Sequence, residues 1–202
     1  MYTSENLEVY IMQTTETAVQ NRKNAFMTTK DMALTAMFAV LIAVCSWISI
    51  PLAVPITLQT FGVFCALAVL GGKRGFFAVL VYILLGAAGL PVFAGFKSGI
   101  GTLFGSTGGY IVGFLLMAGV YWLAEKFIGD NAVIRVIMLV AGLALCYLFG
   151  TVWFVKIYTR DTGAITMMKA LNLCVIPFLI WDGIKLAAAL GISETLKRRI
   201  KI

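Results

Sequence analysis

AVIRVIMLVAGLALCYLFGTVWFV, residues 132–155, carries one charge, Arg135, close to its first residue. A helix that crosses the hydrocarbon of a bilayer needs about 20 predominantly apolar residues. This stretch satisfies that length, and its neighbours repeat the pattern. Reading apolar runs between polar, glycine or proline punctuation places membrane helices at roughly 31–50, 56–71, 75–93, 106–127, 132–155 and 171–192. The second is short. Before it stands Ser49-Ile50-Pro51-Leu52-Ala53-Val54-Pro55, whose prolines lack amide donors and resist helix, so an irregular segment is expected there.

The composition agrees with a bilayer as solvent. Of the 202 residues 61% are hydrophobic and 12% charged, against roughly half and a quarter in soluble domains. The expected fold is an all-α membrane protein of six transmembrane helices. Residues 1–30 form a polar tail, 31–195 the membrane domain, and 196–202 a basic C-terminus. The tail has no long apolar core of the kind a cleaved signal peptide carries.

Charge sets the expected orientation. Arg22, Lys23 and Lys30 precede the first helix, Lys73 and Arg74 separate the second and third, and Lys126 and Arg135 the fourth and fifth. Lys197, Arg198, Arg199 and Lys201 end the chain. The positive-inside bias then places both termini in the cytoplasm. A nucleic-acid site would need basic residues gathered on one soluble face, and no such face is present. Lys97, Lys156, Arg160, Lys169 and Lys185 fall outside this scheme, and a charge at the bilayer centre costs roughly 2.5–3.5 kcal/mol on insertion scales.

Asp182 and Lys185 stand three residues apart in the last span and so share one helix face. They form either an internal pair that offsets its own burial or a polar clamp for a ligand that offers both N–H donors and a carbonyl, such as a urea or amide. Gly89-Leu90-Pro91-Val92-Phe93-Ala94-Gly95-Phe96-Lys97-Ser98-Gly99 is rich in helix breakers that can bring backbone amides to a ligand, and Lys97 is placed to meet an anion. Gln59 begins the short second helix, where its amide serves a ligand or a neighbouring carbonyl. Glycines 101, 105, 109 and 113 repeat every four residues, as in close helix packing. Thr35, Ala39 and Ala43, with Ala33 and Ala36 nearby, give the first helix a stripe of small side chains suited to an internal helix or another subunit.

Absences exclude other classes. There is no histidine, which removes the usual metal ligand and neutral-pH base. Cys45, Cys65, Cys146 and Cys174 lie in apolar spans without a CxxC pair and read as small core residues. Gly71-Gly72-Lys73-Arg74-Gly75 lacks the upstream glycine and Ser/Thr of a nucleotide-binding loop. An intramembrane hydrolase or transferase would need a nucleophile with its base, or a metal–carboxylate cluster; the chain is expected to bind a small molecule for import, and not to be an enzyme.

Pro55-Ile56-Thr57-Leu58-Gln59-Thr60-Phe61, Leu70-Gly71-Gly72-Lys73-Arg74-Gly75, Gly89-Leu90-Pro91-Val92-Phe93-Ala94-Gly95, Gly105-Ser106-Thr107-Gly108-Gly109-Tyr110 and Asp182-Gly183-Ile184-Lys185, in that order, closely resemble the BioY family. These are biotin-specific substrate-binding (S) components of energy-coupling factor (ECF) transporters, and the resemblance spans residues 30–195. It implies a six-helix S-component bundle in a prokaryotic cell membrane, capturing biotin from outside, with no cofactor beyond that transported ligand. The partners it implies are an EcfT-type coupling subunit and two ATPases, the latter matching the missing nucleotide loop. Its substrate-binding residues would be Gln59, Tyr82, Lys97, Gly99, Tyr110, Asp182 and Lys185. Asp182 and Lys185 would contact the polar head of biotin and the Gly-rich loop its valerate carboxylate, while Ala36, Ala39 and Ala43 would face the coupling subunit. An arginine that can follow Gly-Gly-Tyr in the family is Ile111 here, and some relatives carry Asn or another residue in place of Lys97. Lys97 is expected to supply the lost charge. The rival within transport is an S component for a different small vitamin.

Overall fold

The structure, a computed structural model, describes Met12 and residues 27–51, 54–129 and 131–199. The chain divides into two units, 1–33 and 34–202. Most of the tail expected over 1–30 lies outside the described residues, as do residues 200–202 of the basic C-terminus. In the first unit, Thr28 Oγ1 accepts from the Asp31 amide at 3.2 Å and Asp31 Oδ2 from the Thr28 amide at 3.0 Å. This reciprocal pair satisfies donors that a helix start leaves open. The helix it opens is α1, Thr29–Trp47.

Beyond α1 come β1 (Ser49–Ile50) and β2 (Ile56–Thr57), α2 (Gln59–Leu70) and α3 (Gly72–Ala87). A 3₁₀ turn at Ala94–Phe96 and α4 (Ile100–Leu103) precede α5 (Gly108–Ile128), α6 (Ala132–Asp161), α7 (Met167–Cys174) and α8 (Ile176–Arg199). Among the described residues, four segments are long and apolar enough to cross a membrane: α1, α5, α6 and the nearly continuous α7–α8. At 1.5 Å per residue α2 is about 18 Å long and α3 about 24 Å, both short of the roughly 30 Å of hydrocarbon. The segments expected at 56–71 and 75–93 are thus shorter helices, because Ile56 and Thr57 pair in a strand and the chain leaves helix at Ala88.

The irregular segment expected before α2 is an antiparallel hairpin in which Ser49 faces Thr57 and Ile50 faces Ile56. The last expected span is split at Val175, and α6 runs on to Asp161, so Lys156 and Arg160 lie on helix.

Packing follows side-chain size. Gly62 through Leu70 of α2 are all buried, as expected for a helix apolar all round. A Cβ on Gly62 would come within 3.0 Å of the Ile42 backbone in α1, and one on Gly75 of α3 within 2.8 Å of Leu67. Ser193 of α8 donates to the Ala68 carbonyl of α2 at 2.7 Å. The four-residue glycine repeat divides. Gly109 and Gly113 of α5 lie against Trp153 and Cys146 of α6, where a Cβ would meet side-chain atoms at 2.3 and 2.7 Å, whereas nothing lies within 4 Å of one on Gly101. At the same end of α5 as Ile128, Glu125 accepts the Gly72 amide at the start of α3 (2.6 Å), and buried Arg135 of α6 pairs with Glu194 of α8 (2.7 Å).

The stripe on α1 also divides. Ala39 and Ala43 are buried in the core, while Ala36 is exposed. Ala39 and Ala43 are therefore already used for internal packing, and a partner meeting α1 would find Ala36 but neither of these.

Candidate functional site

A cavity of about 260 Å³ opens where the hairpin, the 93–97 loop and the first turns of α2 and α5 meet the middle of α6 and α8. Its size lies near the roughly 300 Å³ lower bound of small-molecule sites. Gln59, Lys97, Tyr110, Asp182 and Lys185 line it together. The polar residues singled out from four separate segments thus reach one space.

Asp182 and Lys185 are 1% and 7% exposed. Lys185 Nζ donates to Asp182 Oδ1 (2.7 Å), to the Thr57 carbonyl (2.7 Å) and to Thr60 Oγ1 (3.1 Å), using all three ammonium protons. Thr60 in turn donates to Asp182 Oδ1 at 2.8 Å, and Tyr147 of α6 donates to Oδ2 at 2.5 Å. A carboxylate offers about four lone-pair positions. Three are occupied, and the one left is on Oδ2. The pair is tied by this network to the end of β2 and the first turn of α2. A buried pair so completely bonded avoids much of the desolvation cost of unpaired charge.

Two of the expected site residues are not on the cavity wall. Tyr82 is fully buried behind it, accepting Gln59 Nε2 at 2.9 Å and meeting Phe93 edge-on at 5.6 Å. Gly99 caps α4 with φ +84°, its amide donating to the Gly86 carbonyl at 2.8 Å, and a Cβ there would meet nothing within 4 Å. Its glycine character serves that turn.

The wall also holds residues that sequence reading passed over: Tyr147, Thr60, Ser106, Thr107, Cys146 and Cys174. Tyr147 had a signal. A hydroxyl deep in an apolar span must find a partner, and Asp182 is that partner. Ser106 and Thr107 sit in the quoted Gly105–Tyr110 motif, in the turn that leads into α5. All four cysteines are free and buried, in line with small core residues, although two of them face the cavity.

The rim is cross-tied. Trp47 Nε1 donates to the Pro91 carbonyl at 2.8 Å and stacks on Phe96 at 5.3 Å, and Ser46 Oγ donates to the Val92 carbonyl. Phe96 is held at φ +57°, a conformation that bulky residues seldom adopt. Its ring against Trp47 helps hold the 93–97 loop, and so Lys97, beside the hairpin.

Apolar helices around a cavity with a buried ion pair in its wall define, as a class, a helical membrane protein built around a space the size of a small molecule. A family model described as the BioY family matches residues 15–202. The chain belongs to the BioY family. It is 46% identical over 164 residues to the biotin transporter BioY of Thermotoga maritima, covering 80% of this chain and 92% of that one. It is 38% identical over 172 residues to the probable biotin transporter BioY of Pyrococcus horikoshii, covering 85% and 98%. The fold is also that of the crystallised S-component for biotin from an ECF-type ABC transporter, with a TM-score of 0.73 at 24% identity over 85% of this chain and 95% of the other.

Proposed function

We propose that this chain is the biotin-binding S component of an ECF-type uptake system, taking biotin from the outer side of a prokaryotic plasma membrane. The observation that carries this reading is the Asp182–Lys185 network set in the wall of a cavity whose lining is mainly apolar. A cyclic urea presents N–H groups and a carbonyl, and a thioether ring beside it matches the apolar remainder of the wall. The open lone pair of Asp182 Oδ2 takes one ligand N–H. A ligand carbonyl reaches Lys185 by replacing one of its three present acceptors, the longest contact being that to Thr60.

At the other end of the ligand, Lys97 with Ser106 and Thr107 offers a cation and two hydroxyls for the valerate carboxylate, all on the cavity wall. Lys97 takes the part of the arginine whose position is held by Ile111. In this reading α2 and α3 complete six membrane helices inside the bundle, with both termini cytoplasmic. The chain catalyses no reaction and needs no cofactor. Energy comes from an EcfT-type coupling subunit and two ATPases, and a docking face on α1 includes Ala36.

Thermal unfolding of the detergent-purified chain against a panel of vitamins tests the assignment. Biotin at a hundred times its Kd raises stability by about 2.7 kcal/mol, and the other vitamins at the same concentration leave the midpoint unmoved. A shift with another vitamin and none with biotin overturns the reading.

A further inference from the structure

Helix length fixes how deep in the bilayer the chain turns after α3. That helix starts beside Lys73 and Arg74 and rises about 24 Å to Ala87, against roughly 30 Å of hydrocarbon. The chain therefore leaves helix before it reaches water on the far side. The tryptophans of two spanning helices mark the same level. Trp47 is the last residue of α1, and Trp153 lies about 27 Å along α6 from Arg135. Indoles collect at such a depth, the boundary between hydrocarbon and headgroups. Both are joined to the segment between α3 and α5: Trp47 stacks on Phe96, and Trp153 meets Phe104 with ring centroids 6.4 Å apart.

This segment has two sides. Lys97 and Thr102 line the cavity, whereas Leu90, Phe96, Ile100 and Phe104 stand off its wall and are 48–63% exposed. Ile100 and Phe104 are one helical turn apart and share a face. Through Trp47 and Trp153 this apolar edge adjoins the exposed residues Val44 of α1 and Val152 of α6, both on helices apolar enough to span.

The backbone is closed as well. The Pro91 carbonyl accepts from Trp47 Nε1 at 2.8 Å, the Val92 carbonyl from Ser46 Oγ, and the Gly105 carbonyl from Trp153 Nε1 at 3.0 Å. Within the segment the Phe93 amide donates to the Lys97 carbonyl at 3.0 Å, the Gly99 amide to the Gly86 carbonyl at 2.8 Å, and Thr102 Oγ1 to the Ser98 carbonyl at 2.7 Å. A loop in water can leave such groups to the solvent. Non-helical backbone at membrane depth has to satisfy them from the protein.

We infer that residues 90–104 are not an aqueous loop but an interfacial segment, with Leu90, Phe96, Ile100 and Phe104 seated in the acyl chains of the outer leaflet and Lys97 turned to the cavity. The partner of this surface is lipid, and the bilayer supports from outside the wall that carries Lys97. Only the word outer rests on the proposed function; the embedding rests on helix length, exposure and the closed backbone.

Nitroxide labels on single cysteines test this, with the full chain reconstituted in phosphatidylcholine vesicles in a cysteine-depleted background. At Leu90→Cys and Ile100→Cys, collisions with oxygen should exceed those with a water-soluble nickel chelate, as at Val140→Cys on the exposed face of α6. Thr162→Cys, in the turn after α6, should show the reverse order. A label at 90 and 100 that behaves like the one at 162 overturns the inference, whether water or another protein then covers the edge, and leaves biotin binding untouched. If the cysteine-depleted chain fails to fold, the unaltered chain carries the test in vesicles doped with a phospholipid bearing a diazirine on its acyl chain. Photo-adducts are then expected on residues 90–104 as well as on α6; adducts on α6 with none on 90–104 overturn the inference equally.

Discussion

Asp182 is the residue on which the site depends most. Its carboxylate gathers Thr60, Tyr147 and Lys185 from three helices, and Asp182→Asn replaces a charge-assisted acceptor by a neutral one. Biotin affinity is expected to fall by about 1.5–3 kcal/mol, measured by calorimetric titration; a change of a few tenths would identify the pair as purely structural. Lys97→Ala is expected to cost about tenfold or more in affinity for biotin. It should leave the affinity for the uncharged biotin methyl ester almost unchanged, and equal losses for acid and ester would remove Lys97 from the carboxylate. Asp182, Lys185 and Gln59 were legible in the sequence because polar atoms inside apolar spans are costly and stand out. Tyr147 and Thr60 were less so, since a tyrosine or threonine in such a span is ordinary until its partner is known. Tyr82 acts behind the wall and Gly99 serves a turn, distinctions that depend on where a neighbouring element lies.

The elements owe their closeness to missing side chains. Gly109 lets α5 lie against Trp153 of α6, so Gly109→Val drives new atoms into the indole and is expected to destabilise the fold by about 1–3 kcal/mol. Gly101→Ala, in α4 with open space around it, should be neutral or slightly stabilising. Thermal unfolding of both variants in one detergent checks the contrast, and equal losses would contradict the packing described. The sequence reading saw one repeat of glycines where the structure has two uses, because a period of four marks a helix face only while the helix continues. The chain leaves helix between α4 and α5, and the repeat is cut there. The hairpin before α2 was visible only as the irregularity that two prolines impose; its register depends on the pairing of Ser49 with Thr57.

For the whole molecule, the proposed orientation puts the cavity mouth outside and Lys73, Arg74, Lys126, Lys197, Arg198 and Arg199 inside. Single cysteines introduced in a cysteine-depleted background at Lys97 and at Arg198 should differ in intact cells, with only the first labelled by a membrane-impermeant maleimide. Labelling of the second without permeabilisation would invert the topology. Association through α1 is expected to be sensitive at Ala36: Ala36→Trp should reduce co-purification with a coupling subunit while leaving biotin binding intact. Buried Ala39 and Ala43 cannot be tested this way, since enlarging either strikes the protein's own core.

The sequence by itself determined the solvent, the helical class, which turns carry lysine and arginine, and the family, since each is carried by composition or by motifs in register along the chain. Only the tertiary structure decided that Gln59, Lys97, Tyr110, Asp182 and Lys185 share one cavity, that Lys185 spends every proton on its own protein, and that Tyr82 stands behind Gln59 and not beside a ligand. Those facts join residues as far apart as Thr57 and Lys185. Periodicity along one segment states which face a side chain occupies; which partner meets that face is settled by the packing of the other helices.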